Sequence, residues 1–136
     1  MTAGVNGVGK LTPLARELLV EPNFAVVSTV NADGTPQQSV VWARERDGEV
    51  EFSTVEGRAK HRNLLRNDVV SVLVIDRRNG YRYSEIRGRA RFETHEASRL
   101  IEELSIDYTG DEWVEHQSRP RVIVIVTPTR IHDYEE

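Results

Sequence analysis

The chain has 136 residues, the size of one ordinary domain, and its 38% hydrophobic and 29% charged residues exclude a disordered or fibrous protein. It contains no cysteine, which removes disulfides, thiolate metal sites, thiol nucleophiles and iron–sulfur clusters together. A net charge of -4 argues against nonspecific binding to nucleic acid, and the longest apolar runs fall far short of the roughly 18 residues a membrane span needs, so neither partner is expected.

Residues 1–10, MTAGVNGVGK, are small and Gly-rich, without periodicity and without a signal-peptide apolar region. They are expected to form a flexible tail ahead of one domain over 11–136, and the protein is read as cytoplasmic. Thr12-Pro13 has the pattern of an N-cap followed by proline at the first helical position, with Leu14, Leu18 and Leu19 on one face up to Val20. Phe24 to Val30 is a β-branched strand, followed by a hairpin connection containing Asp33-Gly34. Gln37 to Arg46 returns, Asp47-Gly48 turns, and Glu49 to Thr54 alternates as a third strand.

A short helix is expected from Arg58 to Asn67, with Ala59, Leu64 and Leu65 as its apolar contributors. Val69 to Ile75 reads as a buried strand, Arg77 to Gly80 as its turn, and Arg82 to Phe92 as a fifth strand with alternating arginines. Thr94 is the expected N-cap of a helix whose stripe is Ala97, Leu100, Ile101 and Leu104. Asp107 to Arg119 reads as helix running into loop, and Arg121 to Asp133 as the last strand, with Pro128 marking a bulge or the end of central pairing. The expected fold is mainly β: a six-stranded antiparallel barrel with two or three flanking helices.

Charge is distributed unevenly. Residues 1–57 hold four basic and eight acidic side chains, residues 58–91 ten and three, and residues 92–136 four and eleven. An acidic chain that gathers its cations in one stretch has either an anionic ligand to hold or an acidic C-terminal third to pair with. Within that stretch, Phe52-Ser-Thr-Val-Glu-Gly-Arg-Ala-Lys-His-Arg-Asn63 places two hydroxyls at the end of a strand, then a glycine turn, then Arg58, Lys60 and Arg62 at a helix opening. Free backbone N–H groups and the helix dipole favour phosphate there; arginine adds a bidentate fork and lysine a point charge. The competing interpretation is a basic, solvated helix face.

Ser-Thr-x-x-Gly-Arg-x-Lys-x-Arg-Asn-Leu, after a Val-x-Phe strand and before Asn-Asp-x-x-Val-Ser-Val-Leu-Val, resembles the pyridoxamine 5′-phosphate oxidase-like, FMN-binding split-barrel superfamily. Ala25 to Pro36, Gln38 to Ala43, Gly88 to Phe92 and Val126 to Ile131 resemble other parts of its barrel, so the likeness runs from about residue 13 to the end. The short chain and the Arg-x-Lys-x-Arg-Asn form are similar to the coenzyme F420-dependent oxidoreductases of actinobacteria. The resemblance implies a split barrel that works as a homodimer, with cofactor sites at the subunit interface. Ser53, Thr54, Arg58, Lys60, Arg62 and Asn63 would hold the phosphate-bearing tail; Ser39, Val40, Val41 and Trp42 would run along the rings; the partner subunit's Tyr83 would close the site.

It further implies hydride transfer between F420 and a small unsaturated or heteroaromatic substrate, with FMN as the alternative cofactor. No catalytic protein group is assigned. A non-catalytic cofactor carrier and an anion-sensing module on strand 87–91 remain as other classes. Arg130-Ile-His132-Asp133 resembles the phosphate grip of true pyridoxamine phosphate oxidases, but their surrounding sequence is missing, so the likeness does not extend to vitamin B6 oxidation. His61, His95 and His116 lack metal-ligand spacing, and no serine has a nucleophile-elbow context. Trp42 is either core or a stacking surface, and Trp113 a helix-docking or dimer residue.

Overall fold

In the computed structural model, which describes residues 2–6 and 9–136, ten elements follow one another: β1 (Thr2–Asn6), α1 (Pro13–Val20), β2 (Phe24–Val30), β3 (Pro36–Arg46), β4 (Glu49–Val55), α2 (Ala59–Arg66), β5 (Val69–Asp76), β6 (Asn79–Glu93), α3 (Ala97–Thr109) and β7 (Arg121–Glu135). The sheet order is β1-β7-β4-β3-β2-β5-β6, all antiparallel, and a further β6–β7 pairing closes it into a barrel. The six expected strands are all present. Within the expected tail, β1 lies along β7 from Thr2↔Glu135 to Asn6↔Ile131, while residues 1, 7 and 8 are outside the described residues.

Period-2 alternation builds the interior. Ala25 and Val27 of β2, Val41 and Ala43 of β3, Val50 and Phe52 of β4, Val70, Val72 and Val74 of β5, Ile86 of β6 and Val124, Val126 and Ile131 of β7 form the core with Leu11, Ala15, Leu18 and Leu19. Helix α1 is capped as its sequence indicates: the Thr12 hydroxyl accepts the Ala15 N–H at 3.2 Å and donates to Asp133 at 3.1 Å. Strand β7 is buried on both faces, which explains its unbroken apolar run. Val124 and Val126 face the barrel, while Ile123 and Ile125 lie under the α3 stripe Ala97, Leu100 and Leu104.

Pro128 marks a bulge. The β6–β7 register slips between Arg87 and Gly88, which pair with Arg130 and Pro128 and leave Thr129 extra. Gly88 allows the strands this close approach, since a Cβ there would overlap the Thr127 carbonyl oxygen.

Two local expectations are corrected. Thr94 does not cap α3 with its side chain; Glu96, in the left-handed region at φ 63°, occupies the N-cap position, and the Thr94 carbonyl accepts the Ala97 N–H. In α2, Leu65 is exposed and the buried face is instead Lys60, His61, Asn63 and Leu64. That polar side lies against the ends of the barrel strands, where donors and acceptors await partners.

Candidate functional site

The hairpin β3–β4 and the opening of α2 place the phosphate-binding candidates. Strand β4 ends at Val55; Gly57, at φ 89°, turns the chain; and Arg58, extended at φ -67° and ψ 162°, leads into α2 without a side-chain cap. The first turn of α2 holds no acidic residue, so its free N–H groups have no carboxylate of their own.

A cavity of about 330 Å³ opens at this point. Of the sequence-derived candidates, Val40, Val41, Trp42, Ser53, Arg58 and Lys60 line it. The others do not. Ser39 and Thr54 stand next to the lining residues Val40 and Ser53 without reaching the cavity, and both hydroxyls are buried without a hydrogen-bond partner. Arg62 donates back to the Gly57 carbonyl at 2.5 Å. Asn63 is a structural tie: its amide donates to Thr29 Oγ1 at 3.0 Å and Asn31 Oδ1 at 2.9 Å, and its oxygen accepts from Arg66 at 2.9 Å. Tyr83, on β6, stacks on Tyr134 at 5.2 Å, outside the residues that line this cavity.

The charge question raised by the sequence resolves by position. The β6 arginines are paired: Arg82 with Asp76, Glu135 and Glu17, Arg87 with Glu85, Arg89 with Asp68, and Arg91 with Glu49. Most of these carboxylates come from outside the C-terminal third. Arg58, Lys60 and Arg62 have no ion pair among the described residues, although Lys60 is only 9% exposed. Burial, with Arg58 and Arg121 close by, holds the Lys60 ammonium below the usual lysine range. A buried cation surrounded by other cations is an unfavourable arrangement until an anion joins it.

The rest of the wall comes from residues that sequence reasoning did not assign to a site. Phe24, Ile101 and Leu104 add apolar surface, and Trp113, Glu115, His116, Gln117 and Arg121 add one side. Trp42 stacks on Tyr108 at 5.4 Å and meets Trp113 edge-on at 5.9 Å, while the Arg121 guanidinium lies 5.0 Å over the Trp113 ring. The Tyr108 hydroxyl accepts the Ala43 N–H at 3.0 Å and donates to the Asn23 carbonyl at 2.7 Å, which braces β3 beside Trp42. Arg121 was legible only as a strand start; its place here follows from the β4–β7 pairing, which sets Val55 opposite Arg121. Glu115 binds Arg121 at 2.8 Å and is held well below the usual carboxylate range, at about 2, chiefly by that hydrogen bond.

Arg130 and His132 line a separate depression with Glu85 and Arg87, and Asp133 turns inward to Ser84 and Thr12. No group of three or more potential metal-ligating side chains occurs among the described residues. No helix among them is long and apolar enough to cross a membrane.

Comparison with known proteins agrees with this architecture. No curated protein sequence matches the chain. Among solved structures, an F420 reductase is 30% identical, covering 89% of this chain and 98% of its own, with a TM-score of 0.78. The conserved hypothetical protein Rv2991 of Mycobacterium tuberculosis is 22% identical over 93% of this chain and 87% of its own, with a TM-score of 0.73. General Stress Protein 26 of Bacillus anthracis is 20% identical over 90% and 93%, with a TM-score of 0.69. The last two share the fold. The family model described as pyridoxamine 5′-phosphate oxidase matches residues 11–135, nearly the whole barrel and both walls of the cavity, and the chain therefore belongs to the pyridoxamine 5′-phosphate oxidase-like split-barrel family.

Proposed function

We propose that this chain is an F420-dependent oxidoreductase acting on a small unsaturated or heteroaromatic substrate. The observation that carries the proposal is Lys60: a buried ammonium beside Arg58 at the uncapped start of α2, without a carboxylate, in a protein whose β6 arginines are paired. Such a site is complete only with an anion, and a phosphate matches its donors. The 30% identical F420 reductase supports the deazaflavin within a family that takes flavins.

When bound, the deazaflavin supplies the hydride chemistry. The chain's part is to hold and enclose. Ser53, Arg58, Lys60 and the first N–H groups of α2 grip the phosphate. Val40, Val41 and Trp42 run beside the rings, and Phe24, Ile101 and Leu104 keep water from the remaining space. Arg62, exposed two residues beyond Lys60 on α2, suits a further anionic group on the tail. In this reading a homodimer completes the site: Phe24 and Val40, 58% and 64% exposed at the cavity mouth, are covered by the second copy, and the partner subunit's Tyr83 closes it. The activity is placed in the cytoplasm.

FMN is the second reading, because the cradle engages a ribityl phosphate that both cofactors carry. Purified protein that is colourless and quenches added F420 fluorescence supports the deazaflavin; yellow protein with flavin absorbance supports FMN. A carrier is separated by turnover: bound reduced F420 that no enone, quinone or nitroheterocycle oxidises contradicts the enzyme reading.

A further inference from the structure

Three cations line the cavity, and they are treated differently. Lys60 and Arg58 lack a carboxylate, whereas Arg121 is already engaged by Glu115 through Nε to Oε2 at 2.8 Å and Nη2 to Oε1 at 3.2 Å. The same carboxylate accepts the Trp113 indole N–H at 3.1 Å and the Gln117 backbone N–H at 3.1 Å. Two guanidinium donors, an indole and an amide are the kind of donor set that a phosphate takes. Glu115 thus occupies an anion site with a side chain of the protein itself.

The two partners are held unequally. The Arg121 side chain is 8% exposed, begins β7, and reaches Ser53 Oγ with its remaining nitrogen at 3.5 Å. The Glu115 side chain is 36% exposed and sits in the irregular stretch between α3 and β7, which is tied to the body at Asp111 by Ser105 and at Pro120 by Glu56. If one of them moves, it is Glu115.

We propose that Glu115 is an internal competitor for Arg121, displaced when the phosphate of the bound cofactor reaches that guanidinium, so that ligand entry releases the Trp113–Glu115 strap from the cavity wall. The idea rests on the reading of the Lys60 cavity as a phosphate site. Because Arg121 holds Glu115 ionised down to about pH 2, the competitor is removed by an anion or by mutation and not by mild acid. The strap makes the empty site discriminate: an anion that touches Lys60 alone leaves Arg121 occupied, and only a ligand with the charge and reach to take both cations opens the wall.

The test is calorimetric titration of the full chain with F420 and with FMN, comparing wild type, Glu115→Gln, Glu115→Asp and Lys60→Met. Indole N–H resonances are recorded in parallel, with Trp113→Phe used to assign that of Trp113. The expected result is about tenfold tighter binding by Glu115→Gln, the same direction for the shorter Asp, and a Trp113 signal that moves on saturation toward its position in ligand-free Glu115→Gln. Equal or weaker binding by both Glu115 variants, with Lys60→Met still losing its affinity, overturns the competitor and leaves the phosphate site standing. Unchanged affinity in Lys60→Met overturns both.

Discussion

The Nδ1 of His61 accepts the Gly57 backbone N–H at 2.9 Å, so the turn that opens α2 is held by a side chain one helical turn further on. The His61 ring also meets Phe92 edge-on at 5.3 Å, which fixes its orientation against β6. Replacing it with Phe keeps the packing but leaves a partly buried N–H without a partner. His61→Phe is therefore expected to lower the unfolding free energy by about 1–3 kcal/mol in urea denaturation and to weaken F420 or FMN binding severalfold. Binding that stays at the wild-type level would show that the turn does not need this brace.

Lys60 sets function against stability. Its folded pKa is lowered by burial and by Arg58 and Arg121, so between that value and the usual 10.5 the unfolded chain binds the extra proton. Stability therefore rises with pH across this alkaline window, and below it the buried charge remains a liability. Lys60→Met is expected to raise the melting temperature of the ligand-free protein at neutral pH, to lose the alkaline rise, and to bind cofactor far more weakly. Thermal melts at neutral and alkaline pH check the sign; a lower melting temperature at neutral pH would contradict it.

Asn63 is expected to matter for folding in the empty protein. Its amide joins α2 to Thr29 of β2 and Asn31 of the following hairpin, and it is 5% exposed. Asn63→Leu strands these acceptors and is predicted to cost about 2–3 kcal/mol in denaturant unfolding, with or without cofactor present.

Gly88 marks the tightest approach of β6 to β7. A methyl group there overlaps the Thr127 carbonyl oxygen and crowds Val126 Cγ1, both in the strand that closes the barrel. Gly88→Ala is predicted to destabilise by about 2–4 kcal/mol, read as a lower urea midpoint with an unchanged slope.

Much of this was legible because it is local. The Phe24–Val30 strand, the Thr12-Pro13 start of α1 and the α3 stripe are each written in a few adjacent residues, and the glycine and cations at 57–62 mark the helix opening. Ser53 and Thr54, or Ser39 and Val40, read equally well as site residues from sequence, but only Ser53 and Val40 reach the cavity, because which neighbour borders it depends on how the surrounding strands and helices pack. Arg121, Glu115 and Trp113 were missed for a different reason. Arg121 and Ser53 are 68 positions apart and meet only through the β4–β7 pairing, which no local pattern encodes. Leu65 was assigned to the core on polarity alone; the barrel end asked instead for the polar side of α2.

The central claim is that the Lys60 cavity binds the phosphate of a redox cofactor. Its most direct test is a side-by-side titration of wild-type protein and Lys60→Met with F420 and FMN, each variant first shown to be folded. Saturable binding of at least one cofactor by the wild type, lost in Lys60→Met, is the predicted result. Failure of both cofactors to bind, or binding that ignores the loss of Lys60, would contradict it.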